Sequence, residues 1–181
     1  MKFVKQFLIL IFSLVSIVPI VALFVKKKFE VKRSVEIERE PSDVFDYLRY
    51  LENHSNFTVW SQMDPNIKQT YSGPDGNVGS ICKWNSKDEN VGVGEQEITQ
   101  LVNNEKVECE LRFIKPWESS VKAIFSISDN SKQTTMVNWS FEGEESWPWN
   151  ITLLFMNMDE KLGPDLEKGL SNLKNILEVN K

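Results

Sequence analysis

The spacing of apolar positions changes several times along the chain, and each change marks a different element. Phe7 to Val25 reads FLILIFSLVSIVPIVALFV, nineteen residues without a charge. Lys32 to Glu40, KRSVEIERE, then alternates Val35 and Ile37 against Arg33, Ser34, Glu36 and Glu38, the pattern of a half-buried strand with a charged outer face. Pro41-Ser42-Asp43 interrupts the strand and opens a helix with Ser42 as its N-cap, along which Val44, Phe45, Leu48 and Leu51 recur at helical spacing. A second short helix is predicted over Ser55 to Met63, within NFTVWSQMDP, where Phe57 and Trp60 share a face and Asp64-Pro65 ends the run.

From residue 68 to about residue 143 the period is two. Ser72-Gly73-Pro74-Asp75-Gly76-Asn77 is a turn, after which Ser80, Cys82 and Trp84 alternate against Ile81, Lys83 and Asn85. Gln96, Ile98 and Gln100 share one face, and Asn103-Asn104 turns the chain. In KVECELRFI, Val107, Cys109, Leu111 and Phe113 face one way and Glu108, Glu110 and Arg112 the other. Val121, Ala123, Phe125 and Ile127 follow, then a hairpin connection at Asp129-Asn130-Ser131-Lys132, then Val137, Trp139 and Phe141. These strands are apolar on one side only, so the sheet has a wet face and a buried face. Beyond Pro148, a residue suited to a first helical turn, a stripe of Ile151, Leu154, Phe155, Met158, Leu162, Leu166, Leu170, Leu173 and Leu177 predicts a long helix, kinked or broken at Gly163-Pro164.

The order is strand, two short helices, about six antiparallel strands and a long C-terminal helix, an α+β arrangement in which only the last helix is long enough to cover the apolar face of the sheet. A strongly curved sheet around one helix leaves a gap, and a gap lined by Trp, Phe and Met suits a small apolar ligand. Trp60, Trp84, Phe113, Phe125, Trp139, Phe155 and Met158 all fall on the inferred inward faces, with Phe57 beside them. Asn138 and Arg112 would turn inward as polar anchors only if a strand register slipped by one residue.

At 181 residues the chain suits one domain after its apolar start is set aside. At about 1.5 Å rise per residue the apolar run spans roughly 28 Å, close to the hydrocarbon core of a bilayer. Lys26, Lys27 and Lys28 follow it where a cleavable signal peptide would carry small residues, so residues 1–28 read as an uncleaved single-pass membrane anchor and residues 29–181 as the domain. The excess of lysine and arginine behind the run places the domain on the cytoplasmic side. Two cysteines do not make a disulfide framework. All 26 acidic residues but only 16 of the 21 basic ones lie beyond residue 28, a net charge near −10, which argues against a nucleic-acid partner. The glycosylation sequons at Asn53, Asn56, Asn138 and Asn150 are chance matches.

Catalytic chemistry is hard to place. His54, the only histidine, lies in the polar stretch Glu52-Asn53-His54-Ser55 and reads as a solvated linker residue. Cys82 and Cys109 read as small buried hydrophobes, Glu142-Gly143-Glu144-Glu145 as a solvated acidic loop, and Trp147-Pro148-Trp149 as a packed helix start, with a ligand gate as its alternative. No metal-ligating spacing or phosphate-binding loop is present.

PSDVFDYL, the short segment ending in Trp-Ser, GVGEQEITQLVNNEKVECELRFIKPWES and MDEKLGPDLEKGLSNLK together resemble the SRPBCC superfamily of helix-grip proteins over residues 32–178. The nearest branch is the bacterial polyketide cyclase/dehydrase and lipid-transport group. The resemblance implies a seven-stranded antiparallel sheet gripping the C-terminal helix, with two small helices closing one end of a cavity and the NFTVWSQMDP stretch beside its entrance. No catalytic motif is shared across the superfamily, so none transfers. The expected function is a membrane-anchored binding domain for an apolar or amphipathic ligand, lipids included, lined by Phe57, Trp60, Trp84, Phe113, Phe125, Trp139, Phe155 and Met158, with no catalytic residue, metal or cofactor assigned. Two alternatives stay open: a cyclase or dehydratase using Tyr47, Tyr50, Tyr71 or glutamates at the mouth, and a protein-interaction domain with an unused pocket.

Overall fold

The computed structural model describes residues 2–130 and 134–179, and of residues 2 and 7–15 the backbone alone. An opening helix, α1 (Lys2–Ala22), leads into β1 (Lys28–Ile37), three short helices α2 (Pro41–Leu48), α3 (Leu51–Phe57) and α4 (Val59–Met63), then six strands: β2 (Lys68–Ser72), β3 (Ile81–Asn85), β4 (Val93–Val102), β5 (Lys106–Lys115), β6 (Ser119–Asp129) and β7 (Thr135–Glu144). A short 3-10 segment (Trp149–Leu154) precedes the last helix, α5 (Met158–Val179). The seven strands form one antiparallel sheet in the spatial order β1-β7-β6-β5-β4-β3-β2. Register shifts within β4, at Val93/Gly94 and Ile98/Gln100, are bulges that bend the sheet around α5.

The core is the meeting of two periodicities. Val107, Cys109, Ala123, Phe125, Ile127, Val137, Trp139 and Phe141 point inward from alternate strand positions, and Leu166, Leu170, Leu173 and Leu177 meet them at helical spacing. The start of α5 is pinned twice. Asn157 accepts the Asp159 backbone N–H at 3.1 Å as an N-cap, and Arg33 of β1 forks onto both Asp159 carboxylate oxygens at 2.7 and 3.0 Å.

Several expectations need correction. The strand expected over 32–40 runs over Lys28–Ile37, because Lys28 to Lys32 pair with the end of β7. Ser42 does not cap α2: Pro41 takes the first helical position and Glu40 stands in the N-cap place. Three short helices occur where two were expected, since the extended backbone of Thr58 divides the expected Ser55–Met63 helix and gives Phe57 to α3. The C-terminal stripe begins too early. Leu154 and Phe155 are exposed, the chain breaks at residues 155–157, and α5 then runs unbroken through Gly163-Pro164, where the Arg33 guanidinium lies against Gly163.

The expected hairpin connection at 129–132 lies partly outside the described residues. The anchor expected over Phe7–Val25 falls on α1, which ends at Ala22, and its side chains from 7 to 15 lie outside the described residues. Among the described residues no helix is long and apolar enough to cross a membrane.

Candidate functional site

The leucines of α5 fill the gap between sheet and helix only from Leu166 onward. Beneath the first turns of that helix the gap stays open as a cavity of about 370 Å³. Its wall is aromatic because inward positions of four strands converge there: Trp84 from β3, Leu111 and Phe113 from β5, Phe125 from β6, and Trp139 and Phe141 from β7. Trp60 of α4 and Met158 and Leu162 of α5 close the sides. The rings brace one another. Trp139 lies nearly parallel to Phe125 at 5.0 Å between centroids, Trp60 lies nearly parallel to Phe141 at 5.5 Å, and Trp84 meets Phe113 edge-on at 5.6 Å.

Two glycines make room for the indoles. A Cβ at Gly94 would run into Trp84 Cζ2 and into the Arg112 carbonyl behind it, and a Cβ at Gly169 would sit 2.7 Å from Trp139 Cζ3. The Trp139 Nε1 is buried without a hydrogen-bond partner among the described residues.

The inner end of the cavity is polar and electrically neutral. His54 Nε2 lies 2.7 Å from the Leu48 carbonyl oxygen, which can only accept, so Nε2 carries the hydrogen. Nδ1 is then the acceptor and receives a hydrogen bond from Gln96 Nε2 at 3.1 Å. The ring also packs on Phe57 and Phe125 at 5.4 and 5.5 Å. Burial lowers its pKa from the ordinary 6.5 to about 4, against the opposing pull of the Leu48 and Gln96 bonds. The solvated linker residue expected at this position is therefore a buried, neutral imidazole with both nitrogens engaged. Leu51, His54 and Phe57 recur every third residue, a spacing that marks a buried helical face; the polar neighbours mask it.

Cys82 lines the cavity and Cys109 lies buried nearby in the core, and burial pushes both thiols up, Cys109 to about 12. Neither is a ready nucleophile. Among the described residues no cluster of His, Cys, Asp or Glu could hold a metal ion.

Of the eight residues expected to line a pocket, Trp60, Trp84, Phe113, Phe125, Trp139 and Met158 share the cavity wall. Phe57 does not: it is fully buried behind the wall, edge-on to Phe125 and Trp139 at 6.0 and 5.8 Å. Phe155 is 87% exposed, since it lies in the break before α5 and not on the helix. Arg112 and Asn138 face outward in the observed register, Arg112 onto three glutamates and Asn138 onto Ser34. Tyr47, Tyr50 and Tyr71 are absent from the cavity wall, whereas Glu89, Glu144 and Glu145 stand on it with Lys115 and Lys161. The Tyr71 hydroxyl donates to Gln69 Oε1 at 3.1 Å, and burial raises its pKa.

No family model matches the chain, and no curated protein matches it. Solved structures do. Norcoclaurine synthase from Thalictrum flavum, in complex with dopamine and hydroxybenzaldehyde, superposes with a TM-score of 0.62 at 12% identity, covering 90% of this chain and 93% of its own. The Aha1 protein of Colwellia psychrerythraea gives 0.59 at 17% identity, covering 84% and 98%, and Ara h 8.0201 gives 0.55 at 8% identity, covering 84% and 97%. At such identities the likeness is one of fold alone: a seven-stranded antiparallel sheet around a C-terminal helix, the helix-grip architecture.

Proposed function

We propose that this domain binds a small apolar or amphipathic molecule in the cavity between the sheet and α5, and that it does no chemistry on it. The carrying observation is the cavity itself: about 370 Å³ of open space walled by stacked aromatic rings, with its one imidazole held neutral and doubly hydrogen-bonded. Proton-transfer catalysis wants a group tuned toward neutrality in the pocket, and His54 is tuned away from it. The volume lies at the low end of the range for ligand sites, roughly 300–1,000 Å³, which suits one ring system or one acyl chain more than a two-chain lipid.

The sequence-level likeness to the polyketide cyclase/dehydrase and lipid-transport group supports the same class of cargo. The uncharged run from Phe7 to Val25, with Lys26, Lys27 and Lys28 behind it, supports a tether that holds the domain at the cytoplasmic face of a membrane. The test is occupancy. Native mass spectrometry of the full chain extracted from its own cells should show a bound small molecule, and the chain should bind Nile red with saturation. Leu111→Trp, which fills the cavity from β5, should abolish that binding while leaving the circular dichroism unchanged. A chain that carries no ligand and ignores the dye sinks the proposal.

A further inference from the structure

The mouth of the cavity and the end of α1 lie at the same end of the sheet. Lys28 pairs with Glu144, Phe113 with Ser119 and Val93 with Lys115, so the start of β1, the end of β7 and the β5–β6 turn share that edge. Glu144, Lys115, Trp117 and Lys161 stand around the opening there. The last turn of α1 is docked beside it. Asn150 Nδ2 donates to the carbonyls of Ala22 at 2.7 Å and Val25 at 3.0 Å, and Trp147 Nε1 donates to the Pro19 carbonyl at 3.1 Å.

This edge also carries large apolar side chains turned outward. Trp117 is 81% exposed on the β5–β6 turn, and Trp149 and Phe155 are 66% and 87% exposed between β7 and α5, with Trp147, Leu154 and Met156 open as well. Water is a poor solvent for such a concentration, and contiguous exposed apolar surface marks a contact. Two features identify the contact. Tryptophan is the side chain most at home at a membrane–water interface, and the patch is continuous with the end of a helix whose sequence is uncharged from Phe7 to Val25 and then exposes Lys26, Lys27 and Lys28 toward headgroups.

Resting on the ligand-binding reading above, we propose that this aromatic edge docks on the lipid bilayer, so that the cavity opens onto the membrane and its cargo passes between acyl chains and cavity without crossing water. Trp117, Trp149 and Phe155 insert at the depth of the glycerol and upper acyl region. Asn150 and Trp147 hold α1 against the domain, so the tether fixes which face meets the lipid. The interaction is chiefly apolar, hence resistant to salt, and at the rim Glu144 and Glu145 stand with Lys115 and Lys161, while Lys28 is paired with Glu144 across the strands.

The test uses the full chain in vesicles of phosphatidylcholine and phosphatidylglycerol, with bromine-labelled acyl chains as quenchers. Of the six tryptophans, Trp117, Trp147 and Trp149 stand on this edge, Trp117 also at the cavity rim, and Trp60, Trp84 and Trp139 line the cavity within. Docking predicts strong, salt-resistant bromine quenching that is much reduced in Trp149→Ser/Phe155→Ser, two exposed positions that do not line the cavity. It also predicts several-fold slower transfer of Nile red from vesicles into that variant, at unchanged equilibrium binding from solution. Unquenched edge tryptophans in a vesicle-bound chain overturn the proposal, as does a chain that does not float with vesicles, or one released by high salt, or one whose patch is covered by a second copy on crosslinking. If quenching holds but the chain binds no dye, docking stands and the ligand-binding function fails; if the dye binds and the edge stays unquenched, the reverse holds.

Discussion

Gln96 donates its side-chain amide to His54 Nδ1 at 3.1 Å, across 42 residues of sequence, and so joins a short helix to the bent strand β4 at the inner end of the cavity. The imidazole has no free nitrogen left: one feeds the Leu48 carbonyl, the other takes the Gln96 hydrogen. A charged His54 would bury a cation among Phe57 and Phe125, and it is this burial that keeps the ring neutral.

That arrangement predicts acid sensitivity with a definite window. The folded pKa is about 4 and the unfolded value near 6.5. Above the unfolded value both states are neutral and His54 contributes nothing to the pH dependence. Below it the unfolded chain binds a proton that the folded chain refuses, so stability falls as pH drops from 6.5 toward 4. By pH 5 the loss is about 2 kcal/mol. Urea titrations at pH 7 and pH 5, with His54→Gln as the reference that removes this part of the slope, measure it. As the only histidine, its ring proton resonance should show no inflection between pH 5 and 8.

Phe57 and Phe155 should part company. Phe57 is fully buried behind the cavity wall, and Phe57→Ala should cost about 3–5 kcal/mol by chemical denaturation. Phe155 stands in solvent on the edge beside α1, and Phe155→Ala should change stability by less than about 0.5 kcal/mol.

Gly169→Ala should destabilise the fold even though alanine favours a helix by about 1 kcal/mol. Its methyl would sit 2.7 Å from Trp139 Cζ3 and 3.5 Å from the Phe57 carbonyl, so the indole must move into the cavity. A net loss of about 1–2 kcal/mol in thermal or urea unfolding, together with weaker Nile red binding, is the expected pair of results. Unchanged dye affinity would show that Trp139 does not bound the binding space.

Arg112 carries structure, not ligand. It reaches Glu95 at 2.8 Å and Glu97 and Glu110 at 2.6 Å each on the outer face, and these bonds raise its own pKa while the Glu95 carboxyl is held below the usual carboxylate range, chiefly by the Arg112 bond. Arg112→Ala leaves three neighbouring carboxylates without their shared cation. The expected cost is about 1–2 kcal/mol, partly recovered in high salt, with dye binding unaltered.

The strands, their inward faces and the leucine stripe of α5 were legible because they are repeating local patterns: alternate residues of a strand face opposite ways, and residues three or four apart share a helical face. Hence Val107, Cys109, Phe125, Trp139, Leu166 and Leu170 were placed inside by spacing alone. The limits of those patterns were not legible. Phe155 fits the stripe perfectly as text, yet Asn157 caps α5 and Arg33, from the far end of the domain, fixes Asp159, so the helix starts after it.

Composition and spacing by themselves determined the kind of object this is: an uncharged apolar run, then a one-sided sheet closed by one helix. Only the tertiary structure decided where the sheet and helix part to leave space, that His54 lies inside with Gln96 as its partner, and that the mouth opens beside the end of α1. These are meetings of residues dozens of positions apart, governed by sheet curvature and by which buried polar group finds a partner. Neither quantity is periodic along the chain, so no local pattern records it.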